Sequence, residues 1–164
     1  FIHRQRMKYD EGIAFTKQII KASPEIPEFY DMQASFYESK RDYTEAMAVL
    51  GEGLKKFPAD EKLTYFQGAI YERLGDRAKA INSMKGILEK NPQNAHALNF
   101  LGYTYTESGQ NLEEAERYIR KALELRPEDG FIEDSLGWVL FKQGKVEQAL
   151  ERLERAMKLR GQAW

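Results

Sequence analysis

A period of 34 residues, held in several columns at once, constrains this chain more than any other feature. Pro24, Pro58 and Pro92 are spaced by 34, and Pro127 follows at 35. Gly12, Ala46 and Ala80 keep the same step, with Ala115 next at 35 and Ala149 at 34. A third column holds Gly68, Gly102 and Gly137, entered one repeat earlier by Ala34. A fourth holds Tyr37, Tyr71, Tyr105 and Leu140. Columns in phase mean one supersecondary unit used repeatedly, each copy burying its apolar face against the next. Each column has a packing reason. A small residue in the first helix lets the second approach closely, and an alanine fills the facing position. The proline stops the second helix and turns the preceding residue away from helical geometry. Gly75 to Ala80 and Gly144 to Ala149 are five steps, but Gly109 to Ala115 is six. The extra residue therefore lies in the turn around Gln110-Asn111, where a short loop absorbs it at little cost.

Apolar periodicity places helices near 9–22, 27–40, 43–56, 61–74, 77–90, 95–108, 112–125, 130–143 and 146–160. Phe1 to Lys8 carries no readable pattern, and Gly161 to Trp164 starts nothing. Tyr9 to Lys21 reads as the second helix of a repeat whose first helix is missing. The expected organisation is one solenoid domain over 1–164, with a half repeat at 9–26 and whole repeats at 27–60, 61–94, 95–129 and 130–160. A chain opening on Phe1, in mid-repeat, is expected to be a piece of a longer protein that carries any targeting signal elsewhere.

The stretch from Leu98 to Pro127, LNFLGYTYTESGQNLEEAERYIRKALELRP, carries Leu101-Gly102, Tyr105, Ala115, Ile119 and Pro127 at fixed offsets. It resembles the tetratricopeptide repeat signature, and the likeness extends over roughly residues 9–160. The resemblance implies an all-α fold, a right-handed superhelical solenoid of antiparallel helix pairs. It also implies an adaptor or scaffold that binds an extended peptide or partner helix in a concave groove lined by the first helices. Aligned on the Leu-Gly column, the groove positions hold Glu28, Asp31, Ser35 and Glu38 in the first repeat. They hold Lys62, Tyr65, Ala69, Glu72 and Arg73 in the second, and His96, Asn99, Tyr103 and Thr106 in the third. The fourth offers Phe131, Asp134, Trp138 and Phe141. The site residues expected to touch a partner are Tyr65, His96, Asn99, Tyr103, Phe131, Asp134, Trp138 and Phe141, in a groove acidic near its start and aromatic near its end. The Lys, Asn and Arg clamp by which some such repeats hold a terminal carboxylate is replaced here by Asp31, Ser35, Phe66, His96 and Phe100, which disfavours a chaperone-cofactor role. The last two repeats look like the end of long bacterial multi-repeat proteins, some of them envelope lipoproteins. That likeness leaves cytoplasm and envelope both open and leans to the envelope.

Composition excludes several alternatives. Net charge is −1, so there is no basic field to neutralise phosphates, and a nucleic-acid partner is not expected. No apolar run approaches the roughly 18–20 residues of a membrane span. The chain has no Cys, which removes disulfides and thiol catalysis. Of two histidines, His3 and His96, the second has no Glu, Asp or His one turn away and reads as a surface residue lining the groove. Ser35, Ser39, Ser83, Ser108 and Ser135 lack a His at plausible spacing, and the glycines occupy packing columns. No catalytic residue, metal site or cofactor is expected, and the chain does not read as an enzyme. Trp138 lies outside the structural Trp column, which holds Tyr30, Thr64, Leu98 and Glu133. Two readings stand: Trp138 and Phe141 face a ligand groove, or they pack on a further helix. The leading functional reading is a protein-binding module. The alternatives are a self-associating scaffold and a regulatory domain of a larger enzyme. Ile13, Ile19 and Ile20 at one end and Leu150, Leu153 and Met157 at the other are expected to leave apolar surface open, so that the chain pairs with itself or residues 1–8 and 161–164 fold back over it.

Overall fold

The computed structural model describes residues 2–161, and side chains from Gln5 onward. Among the described residues there are nine α-helices and no strand: α1 (Ile2–Ala22), α2 (Pro27–Ser39), α3 (Tyr43–Lys56), α4 (Glu61–Arg73), α5 (Arg77–Lys90), α6 (Ala95–Ser108), α7 (Leu112–Leu125), α8 (Gly130–Lys142) and α9 (Val146–Gly161). Eight agree with the periodicity to within a residue at each end. The exception is α1, which starts seven residues before the expected 9. Residues 2–8 contain neither Pro nor Gly, so nothing stops the helix from extending backwards. Phe1 and residues 162–164, part of the segments 1–8 and 161–164 expected to fold over the apolar ends if the chain does not pair with itself, lie outside the described residues.

Helix starts follow a column that the proline spacing conceals. Asp60, Asn94 and Asp129, at steps of 34 and 35, are the N-caps of α4, α6 and α8. Asp60 accepts from the Leu63 amide at 2.9 Å, Asn94 from Ala97 at 3.0 Å, and Asp129 from Phe131 at 3.0 Å. Each thereby satisfies an amide that the helix leaves unpaired. The first repeat has Ile26 at this place and starts α2 with Pro27, whose missing N–H needs no partner there. The turns inside the repeats use left-handed backbone at Gly75, Gly109 and Gly144, with φ of 82°, 68° and 81°. In the first repeat the same position is Arg41, at φ 64°. The inserted residue after Gly109 is absorbed by a second left-handed residue, Asn111, at φ 52°.

The chain forms two compact units, Phe1–Ser83 and Met84–Trp164, with the boundary inside α5. In the first unit α1 packs on α2, α2 on α3, and α4 on both α2 and α3. Its core contains Ile13, Tyr30, Ala34, Ala46, Leu50 and Ile70. Ile13 was expected to lie on an open end but is buried, because α1 lays that side against the Tyr30 cluster. In the second unit α6 packs on α7, α8 on α9, and α8 also on α6 and α7. Leu98, Ile119, Ala122, Leu136 and Leu140 fill it. The alanine column is sealed throughout: Ala46, Ala80 and Ala115 are at 0% exposure and Ala149 at 2%.

Close approach explains the facing glycines. A Cβ on Gly102 would strike Ile119 Cγ1 and lie 2.9 Å from the Ala115 carbonyl oxygen. On Gly137 it would lie 2.7 Å from Leu153 Cγ and 3.3 Å from the Ala149 carbonyl. One charge is taken into this packing. Glu133 is fully buried on α8, and Arg155 and Arg152 of α9 reach its Oε1 at 2.7 and 3.5 Å. Without those partners a buried carboxylate would be strongly unfavourable.

Two stability changes are expected. Gly102→Leu should lower stability by about 1–3 kcal/mol, since the obstacle includes backbone as well as a flexible side chain. Arg41→Gly should raise it by about 0.5–1 kcal/mol, because glycine takes the left-handed conformation without steric cost. Denaturant melts of both variants beside the parent chain check the two signs.

Candidate functional site

The third and fourth repeats bring Tyr103, Asp134, Trp138 and Phe141, half of the expected residues, together in the second unit. On α6, His96, Asn99, Tyr103 and Glu107 follow at intervals of three and four, so they share one face of the helix. Tyr103 on α6 and Asp134 and Trp138 on α8 line one cleft of about 350 Å³, together with Glu107, Ser135 and Leu153. Trp138 forms part of its wall. Its indole Nε1 donates to Glu107 Oε1 at 2.6 Å, tying α8 to α6. Phe141 stacks on Trp138 with ring centroids 5.6 Å apart, and Lys142 Nζ sits 4.9 Å from the indole centroid. Both are favourable arrangements for a ring with a negative face.

The rings remain open to solvent despite these contacts. Tyr103 is 47% exposed, Phe141 49% and Phe131 67%. Phe131 is covered on one side by the Arg160 guanidinium, 4.9 Å from its centroid, and Arg160 also reaches Asp134 Oδ2 at 3.5 Å.

Other expected residues lie elsewhere. His96 and Asn99 are on the α6 face but do not line the cleft. Arg126 Nη1 donates to His96 Nε2 at 2.8 Å. Asn99 is half-buried, and its Oδ1 has no hydrogen-bond partner among the described residues. Tyr65 belongs to the first unit, half-buried on α4, where burial pushes its hydroxyl pKa up. Burial likewise raises the Asp31 carboxyl on α2.

Glu107, Ser135, Lys142, Leu153 and Arg160 escaped the reading by columns. Glu107 was legible as the next residue on the Tyr103 face, four positions on. Leu153 and Arg160 sit on the second helix of their repeat, and only packing brings them to the site.

No group of three or more His, Cys, Asp or Glu among the described residues is placed to hold a metal ion. No described helix is long and apolar enough to cross a membrane.

A tetratricopeptide repeat model matches residues 65–130, and a second one matches residues 134–163; together they take in more than half of the chain. A TPR repeat-containing protein of Pseudomonas aeruginosa is 40% identical over 57 residues, which are 35% of this chain and 10% of that protein. The match thus spans a tenth of the relative's own length. Among solved structures, a crystal structure of MamA superimposes with a TM-score of 0.75 at 19% identity, covering 98% of this chain and 93% of that one. MamA from Desulfovibrio magneticus gives 0.74 at 22% identity, covering 94% and 86%. At such identities the likeness concerns the fold, an all-α array of helical repeats. With its repeat columns, its paired helices and both family matches in agreement, the chain belongs to the tetratricopeptide repeat family.

Proposed function

We propose that the chain is a protein-interaction module that holds an extended segment or a helix of a partner protein against the aromatic cleft of α6 and α8. The repeat fold is generally a non-catalytic interaction module, which supports the coarse reading. The observation that carries the finer one is that exposed Tyr103 and half-buried Trp138 line a cleft of about 350 Å³, with exposed Phe141 stacked on Trp138 beside it. Partially exposed aromatics are the side chains that most often anchor an interface, because they bury much area and lose little conformational freedom. Asp134 gives the cleft a carboxylate. Phe131 lies beyond it, beside Arg160, and His96 and Asn99 extend the α6 face toward the helix start. Tyr65 is proposed as a contact of the first unit in its own right. The near-neutral net charge argues against a nucleic-acid partner.

A second reading, self-association, has its own support. Val146, Leu150 and Met157 are exposed on α9, Met157 to 74%, at spacings that place them on one side of the helix.

Tyr103→Ala, Trp138→Ala and Phe141→Ala should each weaken binding of a partner recovered by pull-down, by about 2 kcal/mol at the strongest position, with helicity unchanged. Calorimetry of the three variants against that partner measures this; three unchanged affinities would remove the cleft from consideration. For self-association, light scattering over a dilution series should show a concentration-dependent mass that Leu150→Glu with Met157→Glu abolishes. A constant monomer mass would rule that reading out.

A further inference from the structure

A second cleft, in the first unit, lies between α1 and α3 with α2 as its floor and measures about 520 Å³. It is a repeated feature of the fold. The second unit has a cleft of about 330 Å³ built from the same repeat positions, 68 or 69 residues further on. Pro24 corresponds to Pro92, Tyr30 to Leu98, Gln33 to Leu101 and Val49 to Tyr118. The two differ in one telling respect. Leu101 makes the later floor apolar, whereas the earlier one has Gln33, only 6% exposed.

Gln33 Nε2 is buried and has no hydrogen-bond partner among the described residues. A buried donor left unmade costs stability. The fold does not require it, since the same column holds Gln33 and half-buried Gln67 in the first unit but Leu101 and Leu136, both fully buried, in the second. Tyr37, Ile20 and Val49 line the same cleft as this donor. Lys17 and Lys21 of α1 and Lys56 of α3 line the cleft, opposed by Glu45 and Glu52 of α3, which leaves one excess positive charge.

We propose that this cleft binds a carboxylate carried on an apolar body. A carboxylate oxygen accepts from Gln33 Nε2, the lysines balance its charge, and the apolar body lies on Tyr37 and Val49. The volume suits a ligand of that size. Either a free organic acid or the C-terminal carboxylate of a peptide ending in an apolar residue supplies this chemistry. The site is separate from the α6–α8 cleft and does not depend on the reading given to it.

The test uses the whole chain labelled with nitrogen-15, titrated with 3-phenylpropanoate, with 3-phenylpropylammonium, and with acetyl-Gly-Gly-Phe bearing a free carboxylate. The Gln33 side-chain NH2 signal should move saturably with the two carboxylates, at roughly millimolar concentrations as expected of small ligands, and not with the ammonium. Tighter binding of the peptide assigns the source to a chain terminus, and tighter binding of the free acid to a small molecule. Gln33→Leu and Gln33→Met should weaken either carboxylate by roughly tenfold or more, the scale of one lost hydrogen bond to a charged group, while melting no lower than the parent. The proposal is overturned if the Gln33 signal stays still, if the ammonium binds as well as the acid, or if both variants keep the parent affinity.

Discussion

The close approach of two helices within a repeat is the contact on which the remaining structure depends. In the second unit α6 meets α7 so closely that Gly102 has no room for a Cβ between itself, Ile119 and the Ala115 carbonyl. Gly137 stands in the same relation to Leu153 and Ala149. Interiors are packed to crystal density, so such a joint has few ways of being wrong and holds the helices in one register. That register brings α8 beside α6, and hence Trp138 within hydrogen-bonding reach of Glu107. The α6–α8 cleft is thus a consequence of a packing rule.

Energetically the repeats divide their positions in two. The alanine and glycine columns at the helix joints stay small, and their variation is limited to exchanges such as Ala34 for glycine. Where a charge enters, as at Glu133, arginines from the paired helix accompany it. The outward positions of the first helices obey no such constraint. Acidic residues occupy them in α2 and aromatics in α8. A surface free to vary on a scaffold that is not free to vary suits an interaction module. The polar Gln33 on a floor where Leu101 would serve shows that an inward column can also depart from its rule, at a cost in stability.

The two readings of Trp138 differ physically in what completes its environment. Its indole N–H is satisfied by Glu107, one ring face by Phe141 and a flank by the Lys142 ammonium. These contacts come from its own helix and from α6, so the ring is already oriented before anything else arrives. Orientation in advance would lower the entropy lost on binding if the proposed partner sits in the α6–α8 cleft.

What the sequence determined by itself was the repeat: its period, the helix limits to about a residue, the sealed alanine column, the glycine turns and the site of the one inserted residue. These are legible because each rests on local geometry or on identical packing used again and again. Left-handed backbone favours Gly75, proline ends a helix at the same offset, and an alanine repeats wherever two helices meet. The residues of the α6 and α8 faces were legible as candidates for the same reason. Tertiary structure decided which candidates meet. It joined Tyr103, Asp134 and Trp138 through Glu107 and Leu153, left His96 and Asn99 off the cleft, and buried Ile13 beneath Tyr30. It also extended α1 back to Ile2. Such outcomes depend on distances between side chains some thirty residues apart and on the rotamers they adopt, and a periodicity carries neither.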